Sequence, residues 1–539
     1  MSHSRAYDVS AVLALWLAMN VAAASAAETV GPLSDIEAIN KALAAAKPGD
    51  TILVRNGAYP GDVRIVMAAE GEKDKPVTLA AETPGKVFFT GGGPHRSFAT
   101  LTLTGSYLHV TGFVFHKSAG GVAVHFKNAK FSRLSHCAFN ESGESRSVMT
   151  HMIEMGEDST DSEVDHCYMA RSLSMSIGTR GGALRPNIHH NWWRDIVARA
   201  GNGQEALQLR GDKAGQKGDL IDTPHASLFA LVEFNLFDGA CGDEEIISVK
   251  SNDNVIRHNT FRGHPTANKG GLNVRHAHRT VVDSNFFFGT GYGVRVSGDD
   301  NIVVNNYIER PVKGIRLTGG GTHGWAYRPC RNGLFANNTV IDAEEVALDI
   351  GTYMGMKDPN GGPNVVNIYP SGNRVYNNLF TCKRAEGVVN FPPPETGEVK
   401  PNDYRNNIAF CRGATAETLK LPEGFSVVDP QLAKEGRLFS PRADSPALGK
   451  ALPLEQVKED VFGRTRGPTP DIGCAQVSGG RKAIVGPLTA EDVGPDWMKG
   501  EFLPLEKEAA LLEVREMLKK YPDPEFRKRL HQAVDAVAK

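Results

Sequence analysis

The sequence predicts an all-β protein, a right-handed parallel β-helix with an N-terminal capping helix and a C-terminal extension that ends in a helix. A short asparagine-containing signature recurs along the chain, and the segments between its copies are β-branched runs and turns without helical periodicity. Glycine supplies 57 of the 539 residues, above the roughly 7% usual in globular proteins. A fold with many tight turns explains this excess, because glycine adopts turn conformations at little cost.

The recurring signature places Asn or Cys before aromatic or β-branched residues, as in His258-Asn259-Thr260-Phe261. Its copies centre on ten positions: Cys137, Cys167, Asn191, Asn235, Asn259, Asn285, Asn306, Asn338, Asn378 and Asn407. The steps between them are 30, 24, 44, 24, 26, 21, 32, 40 and 29 residues. Repeats of about 20–30 residues are typical of solenoids, whereas propeller blades need roughly 40–50. The spacing therefore favours stacked β-coils over the alternatives, a propeller or a β-sandwich.

The N-terminal segment Met1–Ala27 predicts a secretory signal peptide. A basic start precedes the apolar run Ala11–Ala24, and small residues follow it. The run is shorter than the roughly 20 residues that span a membrane, so a retained anchoring helix is the weaker alternative. We expect a secreted or periplasmic protein.

The remaining domain boundaries follow from composition. Residues 28–415 are predicted to form the β-helix, 416–480 a Pro-rich extension packed on it, and 481–539 a C-terminal helical tail. Ser34–Ala46 predicts the capping helix, with Ser34 as N-cap and Glu37 completing a capping box. Such a helix would cover the open edge of the first coil.

Charge and cysteine usage exclude several classes of protein. The 60 Lys and Arg residues nearly balance 62 Asp and Glu, which argues against bulk attraction to nucleic acid. The seven cysteines show no Cys-x-x-Cys spacing, so neither a structural zinc site nor a dense disulfide framework is indicated. Because Cys137 and Cys167 occupy signature positions, we expect stacked thiols rather than a disulfide.

Polar residues recur at similar distances after the signature asparagines, which would place them on one side of the solenoid. Three successive coils supply Asn202, then Asp243, Glu245 and Lys250, then Arg275 and His276, at offsets of 11, then 8, 10 and 15, then 16 and 17 residues. Two further coils supply Arg295 and Arg316, each 10 residues after its asparagine. These arginines predict a cationic strip along the solenoid axis. The alternative is that all these residues are ordinary solvated surface groups.

Two carboxylates and an amide oxygen at close quarters either repel one another or hold a hard cation. On one parallel strand Asp243 and Glu245 would point the same way, with Asn202 within reach from the preceding coil. Calcium prefers such oxygen ligands. Lys250 follows Glu245 by five positions, so a bend must intervene if both serve one site.

At these residues the sequence resembles polysaccharide lyase family 6, the alginate lyases and the dermatan-cleaving chondroitinase B. The matching stretches include Gly201-Asn202-Gly203-Gln204-Glu205, Glu245-Ile246-Ile247-Ser248-Val249-Lys250-Ser251 and Val274-Arg275-His276. The similarity extends from about Asp35 to Asn407. One departure is Ala277, which stands where the family usually has glycine after Arg-His.

The resemblance implies β-elimination on a uronic-acid polymer, with Lys250 as base, Arg275 as acid, and Asn202, Asp243 and Glu245 as calcium ligands. The metal would neutralise charge that develops when a proton leaves the carbon α to a carboxylate. A lysine with an ordinary pKa near 10.4 must be shifted to act as a base at neutral pH.

For the substrate-binding residues, the resemblance implies that His276 helps to position the polymer. Arg295 and Arg316 would pair with successive uronate or sulfate groups, to which planar guanidinium groups are well suited.

Alginate is the expected substrate, and dermatan sulfate is the alternative for the same chemistry. Two further readings remain open. A β-helix glycoside hydrolase would use Asp243 and Glu245 as acid and base. A non-catalytic polysaccharide-binding solenoid would give Lys250 no role.

Overall fold

A computed structural model describes residues 27–91, 99–117, 121–142, 151–198, 203–211, 226–321, 327–357, 365–391, 400–477 and 485–499, and three single positions beyond them. Within these residues three long parallel sheets wind around one core, and each strand pairs with its counterpart in the next coil. This is the right-handed parallel β-helix that the repeat predicts. The signal peptide predicted at Met1–Ala27 lies almost entirely outside the described residues.

Sheet 1 has 14 strands in chain order. They are Thr29–Leu33, Thr51–Val54, Val77–Ala81, Leu108–Thr111, Arg133–Ser135, Glu163–Asp165, Asn187–His189, Leu231–Glu233, Val255–Arg257, Val281–Asp283, Ile302–Val304, Leu334–Ala336, Arg374–Tyr376 and Asp403–Arg405.

Sheet 2 also has 14 strands. They are Gly57–Pro60, Val87–Thr90, Phe113–His116, Ala138–Asn140, Tyr168–Ala170, Trp192–Val197, Leu236–Cys241, Thr260–Arg262, Phe286–Phe288, Tyr307–Glu309, Thr339–Ala343, Leu379–Cys382, Asn407–Phe410 and Phe425–Val427.

Sheet 3 has 12 strands. They are Ile65–Met67, Ala99–Leu103, Val122–Lys127, His151–Gly156, Met175–Thr179, Leu207–Arg210, Ile247–Lys250, Leu272–Val274, Tyr292–Val296, Lys313–Thr318, Val346–Thr352 and Val389–Asn390. Outside the three sheets, Leu432–Glu435 and Leu438–Pro441 form an antiparallel hairpin.

The core consists of inward side chains stacked coil upon coil. In one column the rings of Trp193, Phe237, Phe261 and Phe287 follow one another at centroid distances of 4.4, 4.8 and 4.4 Å. This spacing approximates the about 4.8 Å between neighbouring strands, so equivalent residues meet face to face. Alternate strand positions therefore point outward and are available for function.

The signature asparagines form a continuous hydrogen-bonded ladder at the corner between sheets 1 and 2. The Asn285 amide donates to Asn306 Oδ1 at 3.0 Å and to the Ile256 carbonyl at 2.9 Å, and its Oδ1 accepts from the Asn259 backbone and side chain. The same links join Asn191 to Asn235 and continue to Asn407. The ladder supplies hydrogen-bond partners to backbone N–H and C=O groups at the corner, which do not pair with a neighbouring strand.

The residue before each ladder position turns the corner with a left-handed backbone, at φ between 48° and 58°. His136, His166 and His190 occupy three of these corners, and their rings stack at 4.9 and 5.0 Å. The described cysteines, Cys137 and Cys167 among them, are buried free thiols. The stacked thiols predicted in this column are therefore confirmed.

The capping helix runs from Ile36 to Ala45, and its N-cap differs from the predicted one. Asp35, not Ser34, accepts the Ala38 backbone N–H at 2.8 Å. Asp and Ser cap equally well, so the sequence pattern left the start ambiguous by one residue. Ile39 and Leu43 are buried against the first coil.

The C-terminal part of the chain lies along sheet 2. The strand Phe425–Val427 joins that sheet beyond the predicted boundary at residue 415, after a short helix at Ala416–Leu419. Residues 485–499 run back along the solenoid, where the Trp497 indole donates to the His136 carbonyl at 2.8 Å. This part of the predicted helical tail is irregular apart from one 3₁₀ turn, Asp496–Met498.

Two short 3₁₀ turns complete the described elements, the second at Ala385–Gly387. Beyond residue 499 only Pro524, Lys528 and Gln532 are described, and all three are helical. None of the helices in the described ranges is long and apolar enough to cross a membrane.

The ladder predicts a specific cost for losing one amide. Asn285→Ala leaves the Asn259 donors and the Ile256 carbonyl buried without partners. We expect the free energy of unfolding to fall by about 2–4 kcal/mol, measured by urea denaturation. Cys167→Ala, in the same column but without an amide, is the control and should cost less. Equal costs for the two variants would contradict a stabilising role for the ladder.

The histidine stack predicts acid sensitivity. Burial, together with the neighbouring His189 and His166, lowers the pKa of His190 from 6.5 to about 4. The unfolded chain therefore binds a proton that the folded chain excludes, and stability falls as the pH drops from 6.5 towards 4. Phe234 fills the next position of this stack. We therefore expect His190→Phe to fold and to reduce the loss of stability in this pH window.

The measurement is urea unfolding on both sides of this window, with His264→Gln as control because no contact of His264 lies within the stack. An unchanged pH dependence in His190→Phe would show that His190 does not exclude the proton.

Candidate active site

Sheet 3 carries its outward polar side chains in two parallel rows. The first row runs Gln208, Ser248, Asn273, Arg295, Arg316 and Asp349 on successive coils. In the second row Arg210 pairs with Lys250. Arg275 follows directly after the next strand, where its backbone N–H donates to the Val249 carbonyl at 2.8 Å. The intervening residues, such as Val249 and Val274, point into the core.

Asp243 and Glu245 do not lie on a common strand, contrary to the sequence prediction. Both belong to the turn between Leu236–Cys241 of sheet 2 and Ile247–Lys250 of sheet 3. This turn is the bend that the five-residue separation of Glu245 and Lys250 required. Strand periodicity does not apply within a turn, so the spacing alone did not determine where the two carboxylates point.

The Glu245 carboxylate is the centre of the site. Its Oε1 accepts hydrogen bonds from Arg295 Nη2 at 2.8 Å and from the Asn273 amide, and Arg275 Nη1 lies 3.7 Å away. Burial raises the pKa of Glu245, but the positive charges of Arg295, Arg275 and Lys250 outweigh burial and hold that pKa below its ordinary value. Glu245 is therefore a buried carboxylate kept ionised by three cations.

Lys250 and Arg275 are brought together with Glu245, as the sequence predicts. Lys250 ends the strand Ile247–Lys250, and its side chain is only slightly exposed. Arg275 is more accessible, with 27% of its side chain exposed, and its guanidinium lies 5.6 Å from the Tyr327 ring centroid. A lysine and an arginine thus occupy adjacent coils beside one carboxylate.

Asp243 is held by backbone donors. Its Oδ2 accepts the Gly203 N–H at 2.6 Å and the Gln204 N–H at 3.4 Å, and its Oδ1 accepts the Glu244 N–H at 2.6 Å. Asp243 therefore fixes the segment that follows Asn202. Asn202 itself lies outside the described residues.

Glu205 belongs to the site although the sequence analysis gave it no role. It is buried, and burial together with the negative charge of Asp243 raises its pKa. One carboxylate oxygen accepts the Gln208 amide at 3.1 Å. Glu205 stands in the same matching stretch as Asn202, and this was the signal that could have found it.

The oxygen atoms of this region suit a hard cation. Among the described residues, none donates a hydrogen bond to Glu245 Oε2, Glu205 Oε2 or Gln208 Oε1, which are all buried. Such an arrangement is costly unless another partner compensates. Carboxylate and amide oxygens are the ligands that calcium prefers. The carboxylates of Glu205, Asp243 and Glu245 do not all approach within 4.8 Å of one another in the described chain.

A second group, Asp165, His166 and His189, does converge to within 4.8 Å. It lies on sheet 1 and at its corner, away from Lys250. Arg133 already binds the Asp165 carboxylate through Nε at 2.7 Å and through Nη2, so this group is an internally neutralised network.

Arg295 and Arg316 do not form the open cationic strip that the sequence predicted. Arg295 is only 3% exposed, and its three nitrogens donate to Asn273 Oδ1 at 3.0 Å, Tyr353 OH at 2.5 Å and Glu245. Arg316 lies 3.6 Å from Asp349. Both arginines are occupied by partners from other coils, which offset counting does not reveal.

His276 lies behind an aromatic wall. Its ring is buried, accepts the Arg328 backbone N–H at Nδ1 over 3.3 Å, and stacks on Tyr327 at 5.4 Å. Tyr327 stacks in turn on Tyr353 at 5.1 Å. Both tyrosines come from segments outside the regular coils, so the repeat gave no signal for them. Ala277 is fully buried in the core, so its methyl group does not reach the site surface.

The fold and this site define a class, the β-helix polysaccharide lyases, and comparisons with known proteins agree. The family model of chondroitinase B matches residues 33–429. No protein with a curated description matches significantly. Among solved structures, the PL6 family alginate lyase AlyGC is 25% identical at a TM-score of 0.61, over 78% of this chain and 56% of that chain. This chain thus spans little more than half the length of AlyGC.

Two further structures share the fold. The PL6 family polysaccharide lyase Pedsa3628 from Pseudopedobacter saltans is 23% identical at a TM-score of 0.61, over 73% of this chain and 95% of that chain. A mannuronic acid specific family 6 lyase from human gut microbiota is 24% identical at a TM-score of 0.59, over 75% of this chain and 91% of that chain. The chain belongs to the chondroitinase B family of polysaccharide lyase family 6.

Proposed function

We propose that this protein cleaves an anionic uronic-acid polysaccharide by β-elimination, and that alginate is its substrate. One observation carries the proposal: Lys250 and Arg275 lie on adjacent coils of sheet 3 beside the buried carboxylate of Glu245. Neither the hydrolase nor the binding-only alternative explains this arrangement. A hydrolase needs two facing carboxylates as acid and base and would leave the lysine and the arginine without a role.

In the proposed reaction the Lys250 amine takes the proton from the carbon α to the uronate carboxylate. The electron pair of that C–H bond forms a double bond to the β-carbon, and the bond from the β-carbon to the glycosidic oxygen breaks. Arg275 donates a proton to the departing oxygen. No water is consumed, and the new non-reducing end is an unsaturated uronate.

The base must be an uncharged amine at the moment of proton removal. Burial of Lys250 and the positive charge of Arg275 both favour the uncharged form, whereas negative charge on Glu245 and on Glu205 opposes it. Arg295 reduces the effect of the Glu245 charge on Lys250, because the Arg295 guanidinium binds the Glu245 carboxylate directly. We therefore assign Arg295 the positioning of Glu245 rather than contact with the polymer.

Calcium is the cofactor that we propose for this site. Glu245 and Asp243 would hold it together with Asn202, and Glu205 lies close enough to Asp243 and Glu245 to raise the local negative charge. Bound calcium would neutralise the uronate carboxylate as charge builds up next to it.

Alginate is preferred to dermatan sulfate because AlyGC is described as an alginate lyase and the gut family 6 lyase as mannuronic acid specific. The match to the chondroitinase B model keeps dermatan sulfate as the second candidate. The predicted signal peptide supports a secreted or periplasmic enzyme, where such polymers are found.

The base assignment predicts the behaviour of Lys250→Ala. We expect the ultraviolet absorbance of unsaturated uronate to rise when the wild-type protein meets alginate, and the rate to fall at least about 100-fold in the variant because the proton acceptor is missing. Polymannuronate, polyguluronate and dermatan sulfate are tested in parallel. Lys313→Ala, on the same sheet but paired with Glu345, is the control. Turnover of alginate by Lys250→Ala at the wild-type rate would contradict the assignment.

The calcium proposal has its own test. A chelator should abolish turnover and added calcium should restore it, and calorimetry should show calcium binding by the wild-type protein that weakens in Glu245→Gln. Full activity in chelator, with no calcium binding in the calorimeter, would remove the metal from the mechanism and leave the lyase assignment standing.

A further inference from the structure

The second polar row of sheet 3 contains a cation that the elimination does not use. Arg210 pairs in register with Lys250 on the preceding coil, and Arg275 follows Lys250 on the next one. Adjacent strands are about 4.8 Å apart. Lys250 is therefore flanked along the solenoid axis by two guanidinium groups, and only one of them has a role in the proposed reaction.

The backbone of Arg210 is fixed from the coil before it. Its N–H donates to Thr179 Oγ1 at 2.7 Å, and the same hydroxyl donates to the Arg210 carbonyl at 2.8 Å. The end of the strand Leu207–Arg210 is thus pinned, and the half-buried side chain projects from a rigid position on the outward face.

Beyond Arg210 the same face continues as a second charged cluster. Arg180 Nη2 donates to His151 Nε2 at 3.4 Å, and His151 Nδ1 donates to Glu154 Oε2 at 3.1 Å. Burial lowers the pKa of His151 and outweighs the hydrogen bond to Glu154, which raises it, and the charges of Arg180 and Arg210 lower it further. Glu154 is therefore the carboxylate of this cluster, and the His151 ring links it to Arg180.

The cluster is built into the backbone at Gly178. A Cβ at this position would lie 2.1 Å from the His151 ring, so only glycine lets the ring lie across the strand. This side of Lys250 therefore carries a preformed charged cluster rather than a chance collection of mobile side chains.

We propose that Arg210 binds the carboxylate of the sugar next to the one that Lys250 deprotonates, on the N-terminal side of the solenoid, with Arg180 adding to the positive field behind it. This inference rests on the proposed function. It favours polymers whose neighbouring sugar carries an anionic group, because a guanidinium matches a carboxylate or a sulfate in a planar two-bond geometry. Alginate supplies a carboxylate at that position, whereas dermatan sulfate would supply a sulfate on the amino sugar.

The test compares Arg210→Gln and Arg210→Lys with the wild-type protein on alginate oligosaccharides. We expect the KM of Arg210→Gln to rise about 10-fold or more while kcat stays nearly constant, because a charge-assisted contact made in both ground and transition states is lost. Arg210→Lys should recover part of the affinity, since it restores the positive charge but not the two parallel hydrogen bonds that a guanidinium makes. Arg257→Gln, on sheet 1 and paired with Glu233, is the control.

Binding is measured separately from catalysis, by calorimetry of alginate oligosaccharides with Lys250→Ala and with Lys250→Ala/Arg210→Gln. Weaker binding by the double variant supports the proposal. If the wild-type protein also produced no unsaturated uronate, the lyase assignment would be overturned, but the role of Arg210 in binding would stand. Equal binding by the two proteins, or a lower kcat and melting temperature with unchanged KM, would overturn the proposal and leave Arg210 a structural role only.

Discussion

The register between successive coils is the constraint on which this structure depends. Each strand of the three long sheets pairs with the equivalent strand of the next coil, and the asparagine ladder repeats the same bonds from Asn191 to Asn407 at one corner. A slip of one residue would turn inward side chains outward along a whole strand. The ladder and the sheets together fix which side chains become neighbours. The meeting of Lys250 with Arg210 and Arg275 follows from that register rather than from proximity in sequence.

The same register buries a charged carboxylate in the site, and neighbouring side chains compensate its charge. Glu245 is buried, and a buried charge is tolerated only when it is paired. Arg295 pairs with it, and Tyr353 and Asn273 hold Arg295 in place. The result is a carboxylate with one oxygen that accepts hydrogen bonds from the protein and one oxygen to which no described residue donates. Such a group can bind a cation without moving its own supports, which suits a proposed calcium ligand.

Much of this architecture could be predicted from the sequence, because stacking demands repetition. Asn at regular positions predicted the coils, and the offsets from it brought Lys250 and Arg275 to one face. The number of residues after a signature asparagine does not show where a side chain points within a turn. The prediction that Asp243 and Glu245 share a strand was therefore wrong. Offsets also do not show partners from other segments. Arg295 looked exposed because Tyr353, which covers it, lies 58 residues later in an irregular segment.

The most direct test of the central claim is to follow the fate of solvent oxygen. Alginate is digested by the protein in water enriched with heavy oxygen, and the products are weighed by mass spectrometry. Elimination through Lys250 and Arg275 predicts products that together weigh the same as the starting chain and carry no heavy oxygen. Products that gain one heavy water for each bond broken would show hydrolysis and contradict the account.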